Sequence, residues 1–133
     1  MDRFVVWVDA YSVRNPLVDE QHQRLFALAN EMWKHRKESD KKKKKLFKQI
    51  HEELRSHCVD EERILASNSC EHIKTHRDEH RKMLRQFEEI LDSCQENNRK
   101  TWYNMMVFLL QELLIDHLVG VDMKCRDCMR TGS

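Results

Sequence analysis

The chain has 133 residues, a net charge of +1, 35% charged and 40% hydrophobic residues, one proline and two glycines. So few turn residues argue against a β-rich fold, and the charge balance gives no reason to expect nucleic acid. No apolar run approaches the roughly 20 residues of a membrane span, and Asp2, Arg3 and Asp9 spoil a secretory signal, so a soluble cytoplasmic protein with no membrane partner is expected.

Residues 1–18 read as an extended arm, with Phe4, Val5, Val6, Trp7 and Val8 followed by an Asn15-Pro16 turn. An arm this apolar is expected to pack on the rest of the chain. Asp19 is the expected N-cap of a first helix over about 19–37. Its apolar face is Leu25, Phe26, Ala29, Met32 and Trp33, and His22 lies on that face. Ser39-Asp40 breaks the pattern before a second helix, about 40–66. Its stripe of Leu46, Phe47, Ile50, Leu54, Ile64 and Leu65 also carries His57 and Glu61. The lysine run 41–45 at its start is read as a solvated turn.

Ser69 can cap a third helix over about 70–93, which buries Ile73, Met83, Leu84, Phe87, Ile90 and Leu91. His76 and His80 share that face, and His72 falls toward its edge. Residues 95–100 read as a loop. A fourth helix over about 101–119 carries Trp102, Met106, Leu109, Leu110, Leu113, Leu114 and His117, and Gly120 allows it to end before a tail, 120–133. Four amphipathic segments with short connections predict one all-α domain over 1–133, an antiparallel up-down-up-down four-helix bundle with an N-terminal arm. No interface stripe decides between a monomer and a homo-oligomer.

Imidazoles and carboxylates are costly to bury unless something satisfies them. Every predicted helix nonetheless turns at least one inward, and His57 with Glu61 and His76 with His80 are four apart, on one side of their helices. A metal centre resolves that cost, with iron, manganese or zinc suited to these donors. Two ions fit better than one, because the donors exceed what one ion with an open position can use. Asp122 stands five residues after His117, so it joins the set only if the helix loosens near Gly120. His35 and His51 lie among charged residues and are expected at the surface.

The five cysteines, 58, 70, 94, 125 and 128, are odd in number and read as thiols in a reducing compartment. Cys125 and Cys128 form a C-x-x-C pair, a candidate redox couple.

These pieces, in this order, resemble the hemerythrin family from Trp7 to Asp122. Asp19-Glu20-Gln21-His22 is similar to its D-x-Q-H, His57 to Glu62 to its H-F-x-x-E-E, His76 to His80 to its H-x-x-E-H, and His117 to Asp122 to its H-x-x-x-x-D. The resemblance implies two non-haem irons with an oxo or hydroxo bridge. His76, His80 and His117 would hold one iron, His22 and His57 the other, and Glu61 and Asp122 would bridge them. It implies dioxygen, or a similar small ligand, bound reversibly for carriage, storage or sensing. The alternative is an enzyme or redox protein acting on peroxide or nitric oxide, or a ferroxidase.

The chain departs from the family where Cys58 replaces a pocket phenylalanine and Leu113 an often-found tryptophan. Leu114 and Leu118 keep the pocket apolar. A roomier pocket with a thiol predicts faster autoxidation, unless Cys58 only fills core space.

Overall fold

The computed structural model describes residues 5–93 and 99–129. Its long helices form an all-α bundle in which neighbours in the chain pack on one another, and no strand occurs among the described residues. None of the helices among these residues is long and apolar enough to cross a membrane.

The first helix, α1, is Pro16–Lys34. Its N-cap is Asn15 rather than Asp19. The Asn15 side chain accepts hydrogen bonds from the backbone N–H of Leu17 at 3.0 Å and of Val18 at 3.2 Å. Pro16 occupies the first helical position, where a missing N–H costs nothing. Asp19 then sits inside the first turn. It accepts from the Ser12 hydroxyl at 2.6 Å and the Val13 N–H at 2.8 Å, and so ties the arm to the helix. Upstream, the Asn30 side chain exchanges two hydrogen bonds of 2.9 Å with the backbone of Val5, and Trp7 packs edge-on against Phe26 and Tyr11. The arm therefore packs on α1 as its composition requires; Phe4 lies outside the described residues.

The second helix, α2, is Asp40–Ser67, capped by the Ser39 side chain. Within the lysine run Lys43 departs from the expected solvated face. It is buried, with its ammonium 4.6 Å above the Trp102 ring and 3.3 Å from the Arg36 carbonyl. Ser69 does not cap the third helix. It adopts the left-handed region, with φ 52°, and closes α2 while the Cys70 N–H bonds the Leu65 carbonyl. The third helix, α3, therefore starts later, at Ile73–Ser93.

The fourth helix, α4, is Arg99–Val107, and it passes directly into a π-helical stretch, Phe108–Val121, and one α turn, Asp122–Lys124. The helix does not end at Gly120. A short 3-10 turn, Arg126–Met129, follows. Of the expected loop, 95–100, residues 95–98 lie outside the described residues and Arg99 and Lys100 already belong to α4; the side chains of Leu109 and Leu110 also lie outside them.

The core has two apolar parts. One holds Phe26, Phe47, Leu54, Cys58, Phe87 and Leu114, with Phe47 stacked on Phe87 at 4.1 Å. The other holds Val13, Val18, Leu65, Cys70, Cys125 and Met129. Several buried polar residues fall where the chain passes from one cluster to the other. His22 lies between Val18 and Leu25, Glu61 between Cys58 and Leu65, His80 between Cys70 and Met83, and Asp122 between Leu118 and Cys125, while His57 and His117 are flanked by residues of the first cluster.

The cysteines correct the expectation. Cys128 is bonded to Cys70, not paired with Cys125, while Cys125 and Cys58 are free and buried. Cys128 stands over the α2–α3 connection, where the Cys70 Cα is 5.6 Å away, within disulfide reach. Cys94 lies outside the described residues. His35 and His51 are half-buried rather than surface groups. His51 leans on Phe87 and lies 3.4 Å from Glu88, and His35 is held by Glu31 and Glu38.

Candidate metal centre

The structure brings together the six residues that periodicity turned inward and Asp122, which the family resemblance added. His22, His57, Glu61, His76, His80, His117 and Asp122 are each buried, and Glu61 and Asp122 are fully so. One potential ligand atom from each of His57, Glu61, His80, His117 and Asp122 lies within 4.8 Å of every other. His22 and His76 join through Asp122, each with Nε2 2.8 Å from one of its oxygens. His72, in register with His76, is exposed and lies 3.4 Å from Glu71.

Local helix geometry accounts for the set. His57 with Glu61 and His76 with His80 are one turn apart on α2 and α3 and share a side. Asp122 reaches the centre because the fourth helix is π-helical there. The Asp122 N–H bonds the His117 carbonyl five residues back, and an i to i+5 repeat returns Asp122 to the side of His117.

The two carboxylates divide their oxygens. Glu61 turns Oε1 to His76 and to His80, the latter at 3.0 Å, and Oε2 to His57 at 3.1 Å. Asp122 turns Oδ1 to His76 at 2.8 Å and His117 at 3.4 Å, and Oδ2 to His22 at 2.8 Å and His57 at 3.4 Å. Each carboxylate therefore faces His76, His80 or His117 with one oxygen and His22 or His57 with the other.

Outer nitrogens are held in turn. His57 Nδ1–H donates to the Gln21 carbonyl at 2.9 Å, and Gln21 donates to Asp60 at 2.7 Å. His80 Nδ1–H donates to Glu62 at 2.8 Å, and His76 Nδ1 lies 3.2 Å from the Cys125 sulfur. With one proton held on Nδ1, it is Nε2 that offers a lone pair to the centre once its own proton is lost. Sequence reading quoted Gln21 and Glu62 within motifs but assigned them no role. Their signal was adjacency, Gln21 before His22 and Glu62 after Glu61. Cys125 had no such signal. Trp7 covers the site from the arm, its ring centroid 6.3 Å from that of His22.

Charge is confined here. Burial alone would lower the histidines and raise the acids, yet mutual attraction reverses this for most of them. His57 is raised to about 10 and His76 to about 11, because Glu61 and Asp122 outweigh burial. Glu61 and Asp122 are held below the ordinary carboxylate range by the facing imidazoles, against burial. His117 is lowered to about 4, chiefly by burial.

Protein atoms alone do not satisfy these groups. Glu61 Oε2, His117 Nε2 and Asp122 Oδ2 are buried and accept or donate no hydrogen bond of acceptable geometry. Leaving such atoms unpaired costs about 1–3 kcal/mol each. A cation among five imidazoles and two carboxylates would offset that cost, so the residues present fit a metal.

A family model supports the same conclusion. The model of the hemerythrin HHE cation binding domain matches residues 15–124. The chain belongs to the hemerythrin family. None of the curated proteins matches it. The buried His/Glu/Asp cluster of this hemerythrin domain fits a metal site. Metal entry must displace the protons that His57 and His76 carry at neutral pH. Titrating metal-free hemerythrin domain with Fe²⁺ at pH 7 is therefore expected to release about two protons or more. Calorimetry in buffers of different ionisation enthalpy measures this; no release would contradict the charge state described.

Proposed function

We propose that this chain is a non-haem di-iron protein that binds dioxygen reversibly at a carboxylate-bridged centre. The carrying observation is the division of both carboxylates between two histidine groups. One ion needs no such division, whereas two ions bridged by Glu61 and Asp122 require it. His76, His80 and His117 would hold one iron, and His22 and His57 the other. The second group has one donor fewer, which leaves room for a small ligand. Donors of nitrogen and oxygen alone suit iron, and an oxo or hydroxo group would complete the bridge. Cys125 does not join the donors, because its sulfur faces the outer nitrogen of His76.

Iron held by these residues would supply reversible two-electron chemistry toward a small ligand such as dioxygen. The protein's part is to hold the imidazoles and keep water out. Gln21 and Glu62 keep the protons of His57 and His80 on Nδ1. Leu113, Leu114 and Leu118 are buried beside Cys58 in one apolar cluster, which slows loss of the reduced ligand. Burial, aided by Glu61, Asp122 and Glu62, pushes the Cys58 thiol well above its usual range. It stays neutral and is no nucleophile.

Anaerobic ferrous protein should be aerated and then degassed while its visible spectrum is followed. Reversible colour is expected. Immediate conversion to the ferric protein, with turnover on peroxide or nitric oxide, would replace this reading with an enzymatic one. Cys58→Phe is expected to slow spontaneous oxidation of the aerated protein several-fold, since a ring fills the pocket and excludes water. Equal decay rates would leave Cys58 with packing alone.

A further inference from the structure

His76 Nε2 faces both carboxylates, as His57 Nε2 does from the other side. The outer nitrogen of His76 is the one held by sulfur, Cys125 Sγ at 3.2 Å, where His57 and His80 have oxygen acceptors. Cys125 stands one turn beyond Asp122, and its N–H bonds the Asp122 carbonyl at 3.1 Å. One short segment thus supplies both a carboxylate of the centre and the support of His76.

After Lys124 the described residues make a 3-10 turn, with Cys125 and Met129 packed in the second apolar cluster. This segment is fastened by the Cys70–Cys128 disulfide, by Asn15 donating to the Met129 carbonyl at 2.8 Å, and by Asn68 donating to the Cys128 carbonyl. Cys70 lies six residues before His76, so the disulfide joins the start of the chain's third-helix region to the residue turn that carries Cys125. Cys70 and Cys125 share one buried apolar cluster, while Cys128 is partly exposed and open to a reductant.

We infer that Cys125 is a positioning residue for His76, and that the Cys70–Cys128 disulfide makes this positioning depend on oxidation. The inference rests on reading His76 as a metal ligand. His76 Nδ1–H donates to the Cys125 sulfur, which keeps the Nε2 lone pair turned inward. A dithiol that reduces the disulfide gives two electrons and two protons to it. The S–S bond breaks, Cys70 and Cys128 become thiols, and the dithiol closes to its own disulfide. The segment then loses its covalent tie, its packing around Cys125 loosens, the sulfur shifts from His76, and the centre holds metal less tightly. Sulfur is a weak acceptor, so this support is the most easily lost of the three.

The test uses the full chain loaded with ferrous iron and measures iron loss to a chelator. Cys125→Ala is expected to lose iron about tenfold faster, and Cys125→Ser, which restores an acceptor, to recover much of that. The double variant Cys70→Ser/Cys128→Ser is expected to lose iron faster as well. Adding Cys125→Ala to it should then do less than in the wild type, because both changes remove the same contact. In zinc-loaded protein labelled at histidine, the His76 Nδ1–H resonance should move in Cys125→Ala and in the double variant. Wild-type rates in Cys125→Ala, an unmoved resonance, or rate effects that multiply would overturn the inference. A wild type that binds no iron would instead overturn the metal reading beneath it. Should Cys125→Ala fold poorly, Cys125→Ser and the resonance in the double variant still decide.

Discussion

On the proposed di-iron reading, Glu61→Gln is expected to lower the iron content from two per chain to one or none. Glu61 is the carboxylate that faces His76 and His80 with one oxygen and His57 with the other. An amide in its place can offer only one neutral oxygen and cannot bridge. The metal-free variant should also be less stable, because two charged imidazoles lose a buried partner. Breaking such a pair costs about 3–5 kcal/mol.

The pH dependence follows from the signs. Glu61 is held below its usual 4.5, so its contribution is present above that value and fades as pH falls further. His57 and His76 are raised to about 10 and about 11 from 6.5, so theirs is complete below 6.5 and is lost as pH rises through those values. The gap between metal-free wild type and Glu61→Gln should be widest between these limits, about pH 4.5 to 6.5, and should narrow on either side. Urea unfolding across pH measures it. A variant that keeps two irons, or a gap that does not vary with pH, would contradict the bridging role.

Removing the metal is expected to have the second largest effect. A ligand that binds only the folded chain stabilises it by about 4 kcal/mol at a thousandfold excess over its Kd. For a chain of this length that is on the order of 10–20 °C in Tm. The structure gives a reason for the chain to depend on it. The seven polar groups are buried inside the bundle, so without a cation it keeps crowded groups, some without a well-formed hydrogen bond. Thermal unfolding followed by circular dichroism, before and after chelation, provides the check. Equal Tm values would mean that these groups are satisfied without metal.

Residues that act through side-chain periodicity were legible in the sequence. His22, His57, Glu61, His76 and His80 each continue an apolar stripe, and a helix turns such residues inward whatever its neighbours do. The same periodicity separates His76 from the exposed His72. Helix starts were less legible. Asn15 and Asp19 are equally good caps by residue type, and only the approach of Ser12 and Val13 makes Asp19 an anchor for the arm. Ser69 looked like a cap because its type allows one, whereas the chain reversal needed a left-handed residue there.

Asp122 marks the boundary most clearly. Five residues from His117, it would leave the face of an α-helix, and its inclusion depended on the family likeness and an expected loosening near Gly120. The structure meets that need by a π-helical repeat across the whole stretch from Phe108 rather than by ending the helix.

The all-α bundle and six of the seven buried groups follow from the sequence, because polar residues on apolar helix faces are a local pattern with a chemical consequence; Asp122 needed the family likeness. Tertiary structure alone decided which oxygen faces which histidine, that Gln21, Glu62 and Cys125 stand behind the imidazoles, and that Cys128 bonds Cys70 instead of its near neighbour Cys125. Those contacts join residues as far apart in the chain as His22 and Asp122. Their partners are chosen by the packing of whole helices, which no spacing within one segment encodes.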